Sequence, residues 1–457
     1  MKRYRIRRAG PLRGRLRVPG DKSIGHRALI FAALARGRST ITGLSAGLDN
    51  RATAEAFRAM GVGVAIDGST AVVDGVGLTG LGMPQRVVDC GNSGTTMRLL
   101  AGLLSAQRFG TRMVGDASLT RRPMGRVIEP LRARGAHIAG SAPGPNVKAG
   151  ASSDELYPPI SIAPLVEGEQ LRGIEYEMPV ASAQVKSCLL LSGLYAAGPT
   201  AIHEPVLSRD HTERMMIALG VPLATQGSMA VLDPNADWPH GWDPFDWEVP
   251  GDPSSAAFLI AAALMVPGSG LQIEGVGANP TRTGFFDALR AMGAPVQTTP
   301  KGFAAGDEPI AEHAVAQGAV HGRVVGGELL VRMIDEVPVL CALAAVATGR
   351  TEIRDAAELR VKESDRIAVM ARALADFGCN VEELPDGLII EGGATLHAAR
   401  VRSHGDHRIA MSAALLGMVA DGETIVDDVE CVETSFPGFA GLLRRLGASV
   451  DEEEVAS

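Results

Sequence analysis

Cysteine is sparse in this chain of 457 residues: five are scattered (Cys90, Cys188, Cys341, Cys379, Cys431), none in a C-x-x-C pair. An odd number without pairing argues against a disulfide framework or a zinc site and fits a reducing cytosol. Aromatic residues are few, 18 against 55 glycines, so aliphatic side chains must fill the core and many turns must be tight. No uninterrupted apolar run approaches the roughly 20 residues of a membrane span. The longest, such as Phe258 to Val266, suit buried helices. A G-x-x-x-x-G-K-[ST] loop is missing, so phosphate would be gripped by dispersed Lys and Arg rather than by a nucleotide P-loop. The ten histidines show neither H-x-x-x-H nor H-E-x-x-H spacing, and His404 and His407 adjoin Arg408, so no metal is expected.

What is present is ordinary for a globular protein: 46% hydrophobic and 21% charged residues, with a net charge of -8. Bulk disorder is thereby excluded, and the length suggests two to four domains. The first 20 residues carry eight basic side chains and no acid, leaving -16 on the other 437. A signal peptide would need an apolar segment next, but GDKSIGHR follows. The basic residues alternate (Arg3, Arg5, Arg7; Arg13, Arg15, Arg17), as one solvated face of a strand would, so a strand is preferred to a nucleic-acid arm.

A polar turn followed by an Ala/Leu-rich helix recurs six times: GDKSIGHRALIFAALA from Gly20, GNSGTTMRLLAGLL from Gly91, ASAQVKSCLLLSGL from Ala181, GDPSSAAFLIAAAL from Gly251, IDEVPVLCALAAVA from Ile334 and GDHRIAMSAALLG from Gly405. The steps are 71, 90, 70, 83 and 71 residues. A second marker, a helix ending before glycine and then a strand-like segment, keeps the same rhythm at Gly61, Gly135, Gly220, Gly293, Gly378 and Gly447. Each unit then reads βαβαββ. Three units per domain is the economical grouping, with the break near the Pro/Trp/Asp-rich stretch 233–247. The first domain is expected over 21–244 and the second over 1–20 plus 245–457, with two crossings near 20 and 245. The arginine strand before Gly20 would then belong to the second domain as a partner strand.

Helix N-termini attract anions, so six converging ends would make an electropositive cleft in an acidic protein. Lys22, Ser23 and Arg27, then Asn92, Ser93, Thr95 and Arg98, then Ser182, Gln184 and Lys186 stand at the first three turns. Asp406, His407 and Arg408 stand at the sixth, Asp252 and Ser254 at the fourth, and the fifth differs, with Asp335 and Glu336. The plain alternative is that the Ser, Asp and Asn residues, Asp335 included, are helix caps. Further basic clusters are LTRRP (119–123), LSRDHTERM (207–215) and LRVKESDRI (359–367). In the last, Lys362 and Arg366 share a face if the segment is helical.

PGDKSIGHRALIFAALA, DCGNSGTTMRLLAGLL, GDASLTRRPMGRVIEPL, VKESDRI and GDHRIAM, in this order over nearly the whole chain, resemble the 5-enolpyruvylshikimate-3-phosphate (EPSP) synthases. The resemblance implies an α/β fold: a two-domain inside-out α/β barrel, each domain three βαβαββ units, closing on shikimate 3-phosphate and phosphoenolpyruvate. It implies transfer of an enolpyruvyl group to the 5-hydroxyl with release of phosphate, in the cytoplasm, without metal or other cofactor. Those two substrates bring roughly six negative charges, which suits Lys, Arg and helix N-termini. By resemblance, Lys22, Ser23, Arg27, Ser182, Ala183, Gln184, Ser208, Arg209, Asp335 and Lys362 hold shikimate 3-phosphate. Lys22, Gly94, Thr95, Arg122, Gln184, Arg366 and Arg408 frame phosphoenolpyruvate. Asp335 is the expected base for the 5-hydroxyl and Glu363 handles the methylene proton, while Lys22 and His407 assist phosphate departure.

Ala183 in SAQVK, RDHTE (209–213), and GDKS with NPTR (279–282) resemble the second, often glyphosate-tolerant branch; Gly94 is not the alanine of some tolerant members, and Thr434 stands where the first branch has a lysine. Partial glyphosate sensitivity is the expectation. The sister transferase acting on UDP-N-acetylglucosamine carries a loop cysteine, whereas GDASLTRRP has Ala117. A degenerate, non-catalytic scaffold would have lost Asp335, Glu363 or Lys22, and all three are present. No nucleic-acid or membrane partner is expected, and a monomer is.

Overall fold

Six four-stranded sheets, all with one topology, account for the strands of the described residues, which in this computed structural model are 1–144 and 154–454. In every sheet an edge strand runs parallel to its neighbour, which is followed by an antiparallel third strand. The unit that opens with helix Lys22–Ala33 shows the pattern. Strand Arg36–Thr42 follows, then helix Leu48–Ala59 and the hairpin Gly63–Asp67/Thr70–Val76. Its parallel edge strand is Asp246–Glu248, whose Trp247 lies opposite Ile41.

Both sequence markers are visible in the backbone. The first helices of the six units are Lys22–Ala33, Gly94–Leu104, Ala183–Gly193, Pro253–Met265, Val337–Val346 and His407–Gly417. Four are capped by a side chain on a first-turn N–H: Ser93, Ser182, Asp252 and Asp406. Pro253 and Pro338 occupy first-turn positions, where their missing N–H costs nothing. The second helices end at the six glycines 61, 135, 220, 293, 378 and 447, with φ between 75° and 114°. That left-handed conformation closes the helix and is strained for any residue with a Cβ.

The chain divides into two compact units. One comprises Lys22–Val249 with Ala304–Glu308; the other comprises Met1–Asp21, Pro250–Phe303 and Pro309–Ser457. Each has its own apolar core. Within each, the first helices pack on one another. Pro253–Met265 is buried along its whole length, which demands an apolar residue on every face and explains the uniform Ala/Leu pattern. The first helices therefore form the inside of each unit.

The basic N-terminal segment forms strands. Lys2–Arg7 sits between Glu423–Asp427 and Ser449–Glu454, and Arg13–Arg17 pairs in parallel with Gly270–Gly277. The neighbours answer the alternating arginines: Arg5 reaches Glu423 at 2.9 Å and Glu453 at 3.0 Å, and Arg7 reaches Glu423 at 2.6 Å. The stretch 233–247 packs onto its own unit. The Trp242 indole N–H donates to Phe31 O at 2.9 Å, and its ring meets Phe31 edge-on. No helix of the described residues is long and apolar enough to cross a membrane.

Candidate active site

In the unit built on residues 22–249, three first helices present their N-termini with the expected residues in connected groups. Lys22, the first residue of its helix, places Nζ 2.9 Å from Asp49. Arg27, one turn on, is buried: Nε donates to Thr212 Oγ1 at 2.6 Å, Nη2 to Ser187 Oγ at 2.6 Å and Nη1 to Ser23 O at 2.9 Å. Arg209 Nη1 lies 3.4 Å from the Ser23 hydroxyl, so Ser23, Arg27 and Arg209 form one cluster. A second group joins the second and third helices. Arg98 Nη1 donates to Gln184 Oε1 at 2.6 Å, and Gln184 Nε2 donates to Thr95 Oγ1 at 2.9 Å. The carboxamide is thereby oriented from both ends.

Gly94 lies beside that group. A Cβ there would stand 3.1 Å from Arg98 Nη1 and 3.4 Å from Arg122 Nη1, so the glycine leaves room for two guanidinium ends. Arg122 is buried and held by Asn92 Oδ1 at 2.6 Å and Ser118 Oγ at 3.1 Å. Ser182 caps the helix that starts at Ala183. Ser208 donates its hydroxyl to Glu204.

In the other unit the acid–base candidates cluster around one guanidinium. Arg366 reaches Asp335 at 3.2 Å, Glu363 at 2.6 Å and Asp406 at 2.9 Å. Its burial opposes the charge, but Asp406, Glu363 and Asp335 outweigh that and hold the guanidinium firmly protonated. Asp406 does two jobs: Oδ1 accepts the Arg408 N–H at 3.0 Å as a helix cap, and Oδ2 accepts Arg366 Nε. Arg408 Nη1 donates to the Asp335 backbone oxygen at 2.8 Å, and Nη2 to Ser254 Oγ at 3.3 Å. His407 is buried at the first position of the same helix.

Asp335 is no cap. It lies in the single turn Ile334–Glu336 and points its carboxylate at Arg366, leaving it partly exposed between two guanidiniums. A partly exposed carboxylate in that position can accept a proton from a bound hydroxyl. Lys362 departs from expectation. The segment before it is a short 3-10 turn, Ala357–Val361, Lys362 is extended, and the helix begins only at Arg366 because Asp365 caps it at Ala368 N. Lys362 and Arg366 therefore share no helix face, and Lys362 lies 3.7 Å from Glu358 instead.

Sequence reasoning passed over Asp49, Thr212, Ser187 and Glu204, which hold the expected residues from behind. Ser187 and Thr212 lie in stretches singled out above, but no local signal tied any of the four to the residue it holds. Among the described residues one cluster has metal-ligating composition, Asp210, His211 and Glu308, but His211 Nδ1 sits 2.5 Å from Glu308, a buried hydrogen bond.

The family model described as EPSP synthase (3-phosphoshikimate 1-carboxyvinyltransferase) matches residues 6–443. The 3-phosphoshikimate 1-carboxyvinyltransferase of Geobacter sulfurreducens is 50% identical over 438 residues, 96% of this chain and 97% of the relative. That of Synechococcus sp. is 50% identical over 449 residues, covering 96% and 98%. The solved EPSP synthase of Acinetobacter baumannii superposes with a TM-score of 0.85 at 40% identity, covering 99% of this chain and 100% of that one.

Proposed function

The chain belongs to the EPSP synthase family, and from that membership we propose that it transfers the enolpyruvyl group of phosphoenolpyruvate to the 5-hydroxyl of shikimate 3-phosphate, releasing phosphate. The observation that carries the chemistry is Asp335, a carboxylate 3.2 Å from Arg366 and 3.8 Å from Arg408, with Glu363 on the Arg366 guanidinium.

In this reading Asp335 takes the proton of the 5-hydroxyl as it attacks the enolpyruvyl carbon, forming a tetrahedral intermediate. Glu363 delivers and later withdraws the methylene proton, and phosphate leaves with its charge met by Lys22 and His407. From the unit of residues 22–249, Ser23, Arg27, Ser182, Ala183, Gln184, Ser208 and Arg209 bind shikimate 3-phosphate. Gly94, Thr95, Arg122 and Gln184 take phosphoenolpyruvate, and Lys22 serves both substrates. The other unit adds Asp335 and Lys362 for the acceptor and Arg366 and Arg408 for the donor. Guanidinium and helix N–H groups are the donors that phosphate and carboxylate oxygens need. The reading further takes the protein to work as a monomer in the cytoplasm.

The test is phosphate release with phosphoenolpyruvate and, in separate reactions, shikimate 3-phosphate, unphosphorylated shikimate or UDP-N-acetylglucosamine, with a metal chelator throughout. Release with shikimate 3-phosphate alone is expected, and Asp335→Ala should lower kcat by about 100- to 10,000-fold. Release only with the nucleotide sugar would move the assignment to the sister transferase.

A further inference from the structure

Behind Ser208 lies a buried charged group that the proposed chemistry does not use. Lys186, Glu204 and Glu213 are almost fully enclosed, and they line a cavity of about 340 Å³. Lys186 Nζ lies 2.5 Å from Glu204 Oε2 and 2.6 Å from Glu213 Oε1. Glu204 Oε1 accepts the Ser208 hydroxyl, and its Oε2 accepts the Ser208 backbone N–H at 3.3 Å.

Counting donors shows what the carboxylate does. Three hydrogens, from Ser208 Oγ, Ser208 N and Lys186 Nζ, fall on the two oxygens of Glu204. The Ser208 N–H and the Lys186 ammonium can only donate, and the Ser208 hydroxyl donates to the other oxygen, so all three bonds run into the carboxylate. Both the backbone and the side chain of Ser208 are thus held by Glu204, and Glu204 is held by Lys186. An ion pair this deep costs desolvation and is weak evidence of stabilisation. Its geometry instead fixes one loop residue at two points.

We propose that Lys186 and Glu204 are positioning residues for shikimate 3-phosphate, acting through Ser208; the inference rests on the assignment of Ser208 to that ligand. When an anionic oxygen arrives, the Ser208 hydrogen turns from Glu204 to it. Lys186 and the Ser208 N–H then keep the carboxylate in place. Without Lys186, the unpaired carboxylate retains the hydroxyl and competes with the ligand. With Glu204→Gln a single oxygen remains for three donors, so Ser208 or Lys186 is released.

The experiment is a double-mutant cycle on the full-length enzyme, reading shikimate 3-phosphate affinity by calorimetry together with KM, kcat and melting temperature. Lys186→Met and Glu204→Gln should each weaken binding and raise KM for shikimate 3-phosphate by about tenfold or more, with kcat and KM for phosphoenolpyruvate little changed. Lys186→Arg should restore most of the affinity. In a Ser208→Ala background, Glu204→Gln should have almost no further effect. Because Lys186→Met leaves two buried carboxylates unpaired, Glu204→Gln decides the matter if the lysine variant does not fold. Should Ser208→Ala weaken binding while Glu204→Gln adds its full effect on top, the inference falls and the Ser208 assignment stands. Unchanged affinity in Ser208→Ala removes that assignment and the inference together.

Discussion

Asp252 shows how one residue serves the fold and the site neighbourhood at once. Its carboxylate caps helix Pro253–Met265 through Ser254 N at 2.8 Å and lies 3.4 Å from the buried Arg282. Arg282 also approaches Asp21 at 3.4 Å and Glu336 at 3.7 Å, and Arg408 reaches Glu336 at 3.7 Å, so three acids share two guanidiniums there. Burial, and next the charge of Asp21, push Asp252 up to about 6 from an ordinary 3.8. A folded-state value above the unfolded one favours the protonated form in the fold. Its contribution to stability is therefore complete below about 4 and lost as pH rises through about 6. Asp252→Asn keeps a good cap and removes the titration. Comparing melting curves from pH 4 to 7, the variant should lack a stability loss on the order of 1–3 kcal/mol that the unmodified protein shows over that range. Identical slopes would mean that Asp252 stays ionised.

Among the helices, Gly102 has the tightest approach that bears on the site. A Cβ at this position would lie 2.0 Å from Cys188 O, so helices Gly94–Leu104 and Ala183–Gly193 meet backbone to backbone with no spare room. The same two helices carry Gly94, Thr95 and Gln184, and the Thr95–Gln184–Arg98 hydrogen bonds span the gap between them. Gly102→Ala must push the pair apart. It should destabilise the protein by about 3 kcal/mol or more, as overpacking against backbone does. If the variant folds, KM for phosphoenolpyruvate should rise, because both anchors of the Gln184 carboxamide, Thr95 and Arg98, lie on the helix that is pushed away. A melting temperature within a degree of the parent would show that the helices yield more easily than their contact suggests.

Helix starts and stops were readable from single segments. Caps such as Ser93 and Asp406, first-turn prolines and closing glycines act through the backbone groups nearest to them. Their signals are therefore local. One such signal was missed: Asp365 caps the helix at Arg366, and the expectation of a common face for Lys362 and Arg366 gave way to it. The partners that stand behind the site were not readable, because Thr212 meets Arg27 across 185 residues and nothing in LSRDHTERM marks that pairing.

Seen as a whole, the molecule closes its two units asymmetrically along the chain. The three sheets of the first are complete within residues 22–249. The second needs Lys2–Arg7 and Arg13–Arg17 to complete two of its three sheets. An excised 22–249 fragment should accordingly fold with a cooperative denaturant transition. A 250–457 fragment should not, since it leaves sheet edges and apolar partners such as Tyr4, Ile6 and Leu12 unsupplied. Adding a 1–21 peptide should restore some structure, and circular dichroism with a urea titration distinguishes these outcomes. Cooperative folding of 250–457 alone would show that the N-terminal strands are dispensable.

The sequence by itself determined the six repeated units, the places where their helices begin and end, the Ala/Leu-rich inner helices and the family. Each of these rests on short-range backbone chemistry or on contiguous motifs. Only the tertiary structure decided which sheet each of the terminal strands enters, because strand pairing depends on partners hundreds of residues away. The same holds for the convergence of Asp335, Glu363 and Asp406 on Arg366. Asp335 lies 31 residues and Asp406 40 residues from that arginine, and the charge balance among them exists only once packing has removed the water between them.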